Sequence, residues 1–382
     1  MKSFIAASLL LGFTFGGNVT AQPSLEKRIE GLLFGSLIGD AAGGPVEFVE
    51  TDWYSDSLLT QPLSGETKTA LAERFHLRDY PKKAEPYAQW IDYAPAGTIT
   101  DDSRYKLLLL QSVKEKGALS RKGFLEYLIA YHDTPGAFND SLKIAWLEEY
   151  MYRYRWLAGN RKPSEAYPPE RVWGGIATMA GQMPYLPVAA FYPGNPEEAY
   201  KKTWQLNLLD VGYGKDFTSA LAAGLSQALV AEPGDWNTVL ETMRATDPYA
   251  FAEVPWVPRR FTMWMDRASG YVEENQPGIP AELFEKLEKG LRSVTWWEAR
   301  VPPVLTFAIL EATDYDPLAS MELALAFGRD TDSTAQLMGA FLGAMYGAEA
   351  FPEEIRAEID KKLGAQYDIS VEKMVKIILD HQ

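Results

Sequence analysis

Two short segments, far apart in the chain, combine carboxylates with hydroxyls: Thr100-Asp101-Asp102-Ser103 and Asp330-Thr331-Asp332-Ser333-Thr334. Each runs straight into an apolar stretch. Hard divalent cations such as Mg²⁺ take oxygen ligands of this kind, because carboxylates supply charge and hydroxyls complete the shell. Four aspartates from two distant segments could hold two ions between them, as in a metal-dependent hydrolase. The same residue types also cap helices by accepting hydrogen bonds from free backbone N–H groups. Either cluster alone reads more readily as a cap; two in one chain strengthen the metal reading. Asp330 and Asp332 are two residues apart and would point to different sides of a regular helix. Their convergence requires a loop entering a helix, and Gly328 before them and Ala335-Gln336-Leu337-Met338-Gly339 after them supply that pattern.

Glu47 is a third candidate. It follows Gly39-Asp40-Ala41-Ala42-Gly43-Gly44-Pro45, where a helix ends and a Gly-Pro turn presents a carboxylate from a loop. Beside metal ions such a group serves as a ligand or as an acid/base; standing alone, it reads as a surface glutamate.

The elements that must position these groups are helical. Apolar residues recur at helical spacing over Leu25–Ala42, from Leu107 into Val113, and over Phe124–Tyr131, Ser141–Leu157 and Glu197–Leu209. The same holds for Thr218–Val230, Trp296–Glu311, Pro317–Phe327, Thr334–Tyr346 and Pro352–Leu363. Strand-type alternation is scarce, and Pro-rich connectors lie near Pro163–Pro169, Pro255–Pro258 and Pro302-Pro303. The expectation is an all-α protein whose Gly- and Ala-rich helices cross closely, with no convincing boundary inside residues 22–382.

Composition narrows the function classes. The chain has 382 residues, 47% of them hydrophobic, and a formal charge of -15, which suits a globular protein and disfavours binding to nucleic-acid phosphates. Residues 1–21 read as a secretory signal peptide: Lys2, an apolar stretch from Phe4 to Phe15, and the small-residue site Val19-Thr20-Ala21. The chain has no cysteine, hence no lipoprotein anchor and no disulfide. A periplasmic or secreted protein without a membrane span is expected.

Three motifs carry a family resemblance. Gly31-Leu32-Leu33-Phe34-Gly35-Ser36-Leu37-Ile38-Gly39-Asp40-Ala41 through Pro45-Val46-Glu47-Phe48 resembles the opening of the ADP-ribosylglycohydrolase family, a Gly/Ala-rich helix followed by a Pro-x-Glu turn. Gly97-Thr98-Ile99-Thr100-Asp101-Asp102-Ser103 resembles its first metal motif, and Gly328-Arg329-Asp330-Thr331-Asp332-Ser333-Thr334-Ala335 its second. The resemblance implies a compact orthogonal multi-helix bundle with a binuclear Mg²⁺ centre, Mn²⁺ being an alternative ion. It implies Thr100, Asp101, Asp102, Asp330, Asp332 and Ser333 as ligands. Ser103 and Ser333 stand where Thr is usual.

The middle of the chain departs from the family. Trp173-Gly174-Gly175-Ile176-Ala177-Thr178-Met179-Ala180 lacks the Arg that closes a Gly-rich substrate loop in many relatives. Asp210-Val211-Gly212-Tyr213-Gly214-Lys215-Asp216 stands where many carry a His; the histidines here are His76, His132 and His381. Asp40, Gly174, Gly175, Tyr213, Gly214, Lys215 and Asp216 are expected on the substrate side. The 210–216 segment reads equally as a turn facing substrate and as a helix start capped by Asp216. Trp90, Trp173, Tyr185 and Tyr213 are the aromatics nearest these segments and could stack on a ring, although most aromatics at helical spacing are core.

The function expected is Mg²⁺-dependent hydrolysis of an N- or O-glycosidic bond at C1 of an ADP-ribosyl or related group. Glu47 and Asp102 are the catalytic candidates, acting on a small-molecule or protein-linked glycoside. The alternative is a catalytically idle, metal-stabilised binding or structural protein on the same fold.

Overall fold

The centre of the protein is a pair of helices that have almost no solvent face. The computed structural model describes residues 22–80, 94–134, 150–275, 278–293 and 295–382; the expected signal peptide and Trp90 lie outside them. The first helix, α1 (Leu25–Gly43), opens on Ser24, whose hydroxyl accepts from the Lys27 amide at 3.3 Å. From Gly31 to Gly43 every residue of α1 is buried.

The helices that follow are α2 (Gly65–Arg74), α3 (Asp101–Lys116), α4 (Arg121–Asp133), α5 (150–157), α6 (Gln182–Tyr185), α7 (Pro196–Leu206), α8 (Gly214–Ala228) and α9 (Trp236–Ala245). Then come α10 (Arg260–Glu273), α11 (Pro280–Leu291), α12 (Val301–Ala312), α13 (Pro317–Phe327), α14 (Thr331–Tyr346), α15 (Glu353–Tyr367) and α16 (Val371–Leu379). Residues Thr331 to Met345 of α14 are all buried.

Helices α1 and α14 run antiparallel and touch backbone to backbone. Gly31 faces Gly343, Gly35 faces Gly339, Gly39 faces Ala335 and Gly43 faces Asp332, so closely that a methyl on any of these four glycines of α1 would overlap the partner's main chain. Residues four apart share one helix face, so this glycine row is continuous over three turns. It also has a consequence for function, because it sets the C-terminal end of α1 against the first turn of α14.

Around this pair the core is continuous. Arg28 of α1 donates to the carbonyls of Ala228 (3.0 Å) and Ala231 (2.7 Å) at the end of α8, satisfying a buried helix terminus. Thr306 of α12 donates to the Thr334 carbonyl at 3.2 Å. Helix α3 packs on α6 and α4, α7 on α8, α10 on α12, and α2 on α13.

The architecture is all-α. Among the described residues the sole β feature is an isolated antiparallel bridge between Thr178 and Glu298. No helix of the described residues is long and apolar enough to cross a membrane. The helix expected over Trp296–Glu311 begins at Val301. Residues 297–299 pair with 177–179 instead, through Met179 N to Trp297 O and Ala299 N to Ala177 O, both 2.9 Å. Pro302 and Pro303, which lack N–H groups, then sit where a helix start needs none. Helix α3 likewise starts at Asp101, ahead of the apolar run that announced it. Amphipathic helices α9, α10, α11 and α16 add to those expected.

Candidate metal centre

Thr100 caps α3. Its hydroxyl accepts from the Asp102 amide at 3.2 Å and donates to the carboxylate of Asp40, which also accepts from the Thr100 amide at 3.0 Å. Asp40 is therefore a fully buried strut from α1 that fixes the start of α3. Capping leaves Asp101 and Asp102 in the first turn, where helix dipole and free N–H groups favour anions.

The second cluster also stands at a helix start, without a side-chain cap. Asp330 is the residue before α14, and Asp332 lies in its first turn, with an oxygen accepting from the Ser333 amide at 2.9 Å. Thr331 donates to the Gly43 carbonyl at 2.8 Å, tying α14 to α1. Beyond Gly43 a 3₁₀ turn, Gly44–Val46, carries the chain to half-buried Glu47. The next amide, of Phe48, donates to the Arg329 carbonyl at 2.7 Å. The turn bearing Glu47 is thus laced to the residue that precedes Asp330.

These restraints bring the acids together. Carboxylate oxygens of Glu47, Asp330 and Asp332 lie within 4.8 Å of one another, and so do those of Asp101, Asp102 and Asp332. Asp332 belongs to both groups. The Ser333 hydroxyl donates to Asp102 at 3.3 and 3.4 Å. Behind Asp102 stands Gln336, missed in the sequence, whose amide donates to the Asp102 carboxylate while its oxygen accepts from Lys106. Lys106 also donates to the Asp102 carbonyl at 2.9 Å.

Burial first, and mutual repulsion second, disfavour the charged forms. Burial pushes Asp101 and Asp330 up to about 6. Burial and then the charges of Asp330, Asp101 and Asp102 hold Glu47 well above the usual carboxylate range; burial and neighbouring acids do the same to Asp102 and Asp332. Burial lowers the Lys106 ammonium to about 8, so it is a weak counterweight. Five crowded carboxylates can all ionise only if cations offset them. Hard oxygen donors in two overlapping groups fit divalent cations such as Mg²⁺ or Mn²⁺, and no thiol or imidazole among the described residues joins them.

Above the acids lies a cavity of about 120 Å³. Asp102 and Asp330 line it as buried residues, Glu47, Asp101, Phe48 and Trp297 as half-buried ones, and Trp173 as an exposed one.

None of the residues expected on the substrate side lines the cavity. Asp40 serves Thr100, as above. Gly174 and Gly175 are exposed, at left-handed φ of 65° and 79°, and do not line the cavity, although their neighbour Trp173 does. Tyr213 donates to Glu298, and its ring lies 4.8 Å from the Arg260 guanidinium. Gly214 packs beneath the Thr178 carbonyl, and the Lys215 ammonium sits 5.0 Å from the Trp204 ring. Asp216 is buried, accepting from Tyr200 at 2.7 Å and from Arg259 at 2.6 Å. The first turn of α8 faces α7 and α10, so its polar groups build structure there. Tyr185 is also core, donating to the Leu206 carbonyl at 2.9 Å.

Sequence reasoning missed Phe48, Tyr150, Met179 and Trp297 at the cavity. Phe48 had a signal, adjacency to Glu47. Trp297 had none, because only the 177–179 pairing carries it there.

No curated protein matches the sequence. A solved structure described as an ADP-ribosylglycohydrolase-related protein complex shares the fold, with a TM-score of 0.58 over 94% of this chain and 97% of that one, at 17% identity. A profile of the ADP-ribosylglycohydrolase family matches residues 21–380, from ahead of α1 to past the end of α16. All three motifs fall within that match, and this chain belongs to the ADP-ribosylglycohydrolase family.

Proposed function

We propose that this protein is a divalent-cation-dependent glycosidase that hydrolyses an N- or O-glycosidic bond at C1 of an ADP-ribosyl or related ribosyl group. The observation that carries the reading is the pair of carboxylate groups sharing Asp332 beneath an open cavity. Family membership supports hydrolase chemistry of this type.

Asp101, Asp102 and Asp332 would hold one Mg²⁺, and Asp330 with Asp332 a second, with Mn²⁺ able to replace either. Bound there, the ions would supply Lewis acidity and an anchor for vicinal sugar hydroxyls. Thr100 retains a lone pair after its two hydrogen bonds, and Ser333 retains both of its own, so either hydroxyl can add to a shell. Glu47 lies within 4.8 Å of Asp330 and Asp332 and lines the cavity, where it can take the proton of the attacking water. Asp102 is the other group in reach. The water oxygen bonds to C1, the C1–heteroatom bond breaks, and the proton passes to the leaving group. The surrounding carboxylates stabilise the positive charge that develops on the sugar ring.

Residues 22–382 act as one domain in this reading, supported by a core cluster that runs from α1 to α16. The apolar residues Phe4–Phe15 support export, which points to glycosides outside the cytoplasm.

The test is a heat-flow titration of chelator-stripped protein with Mg²⁺ or Mn²⁺, followed by ADP-ribose. Metal stoichiometry near two, with sugar binding only to the loaded form, is expected. Asp332→Ala should lose both cation binding and turnover. Turnover that survives in Asp332→Ala would sink the reading.

A further inference from the structure

The cavity is lined by two chemically different groups of residues. Its described titratable lining is acidic or phenolic: Glu47, Asp101, Asp102, Asp330 and Tyr150. None of its described lining residues is Arg, Lys or His. Among the described residues, the cations near the acids bind other groups: Arg329, next to Asp330, pairs with Glu288 at 2.7 Å. Lys106 donates to Gln336 and to the Asp102 carbonyl. Arg104 donates to the Ile99 carbonyl (2.9 Å) and the Tyr367 hydroxyl (3.0 Å). Arg300 pairs with Glu298 and lies 4.1 Å from the Trp264 ring. Recognition of phosphate uses guanidinium forks, ammonium groups, helix N-termini or nests of backbone N–H groups, and Gly174 and Gly175, which follow Trp173, do not line the cavity. The two helix N-termini here already face carboxylates.

The second group is aromatic: Phe48, Trp173 and Trp297. Trp173 is 43% exposed, and its ring meets Trp297 edge to face at 5.9 Å. Phe48 meets Trp297 at 6.1 Å, also edge to face. Trp173 holds φ 51°, in the left-handed region that is costly for a residue with a side chain, and its Nε1 donates to the Tyr150 hydroxyl at 3.1 Å. Strain of this kind persists where the surroundings impose a geometry. Here it keeps a large indole at the cavity and not in the core. Rings so arranged suit a flat, uncharged partner, since stacking accepts any planar heterocycle.

We propose, resting on the glycosidase reading above, that the substrate is a ribonucleoside carrying no phosphate. Its ribose lies against the acids, and its base against Trp173 and Trp297. In the reaction a water oxygen bonds to C1 and the C1–N bond breaks, its electron pair passing to the base. The proton removed from water ends on that nitrogen, so ribose and free base leave.

The test compares kcat/KM of the Mg²⁺-loaded protein for inosine and uridine with that for an ADP-ribosylated peptide, following release of base and of ADP-ribose. A nucleoside preference of at least about tenfold is expected. Trp173→Leu should raise the nucleoside KM by about tenfold, the loss of one stacking contact, with kcat changed less than about twofold. Inhibition by methyl riboside, which has no base, should stay unchanged in that variant and so separates lost stacking from a disturbed fold. Faster turnover of the ADP-ribosylated peptide overturns the nucleoside assignment and leaves the glycosidase reading standing. Cleavage of neither substrate by cation-loaded protein overturns both.

Discussion

Asp332 is the residue on which the two carboxylate groups turn, since both include it. Its surroundings are equally specific: Gln336 holds Asp102 with one end and Lys106 with the other. Side chains that orient ligands in this way typically cost 10–100-fold in metal affinity when removed, so Gln336→Leu should weaken Mg²⁺ binding by about that factor in a heat-flow titration. Proton linkage supplies a second expectation. An unfolded Asp titrates near ~3.9, whereas Asp101 and Asp330 titrate at about 6 in the cation-free fold. Between those values the folded protein holds more protons than the unfolded chain, so these two groups stabilise the fold less as pH rises and are fully unfavourable above about 6. A divalent cation offsets that loss. The gain in Tm on adding Mg²⁺ should therefore be small near about pH 4 and grow through about pH 6. A gain that shrinks over that interval in a calorimetric scan would contradict the assignment of these acids.

At the scale of elements, the α1–α14 contact decides whether the site exists. Gly43 against Asp332, and Thr331 bonded to the Gly43 carbonyl at 2.8 Å, fix the turn that carries Glu47 relative to the second cluster. Gly35→Ala puts a methyl into the Gly339 backbone and should destabilise by about 1–3 kcal/mol or more, with weaker Mg²⁺ binding as the helices part. Gly364 in α15 is exposed, with nothing within 4 Å of an added Cβ. Gly364→Ala should stabilise by about 0.4–1 kcal/mol, through a less flexible unfolded chain, without touching cation affinity. Denaturant titrations of the two variants test the contrast directly. Equal effects would mean that close approach is not why α1 carries glycine.

At the scale of the whole molecule, buried charge is used at the acid cluster and also away from it. Asp216 with Arg259 and Tyr200 joins α7, α8 and the start of α10. Breaking a buried pair leaves an uncompensated charge, so Asp216→Asn should cost about 3–5 kcal/mol in denaturant unfolding. Because Asp216 does not line the cavity, Mg²⁺ stoichiometry and affinity should match the parent protein. Altered cation binding in a folded Asp216→Asn protein would return that residue to the site.

What the sequence determined by itself was local in origin. The helical period, the Gly/Ala composition of α1 and α14, and the cap-type residues at Thr100 and Asp330 are properties of short windows, and they implied an all-α chain with acids at two helix starts. The turn after Gly43 was legible for the same reason, since Gly44-Pro45 ends a helix wherever it stands. Tertiary structure alone decided which acids meet, because convergence depends on the register of α1 against α14. It also decided that Asp40 and Asp216 serve the scaffold: a carboxylate's neighbours across the chain, Thr100 for one and Arg259 for the other, leave no trace in its own window. The aromatic lining was equally hidden. Trp297 reaches the cavity through main-chain bonds to 177–179, and such pairing depends on where two distant segments lie, not on the residues either one contains.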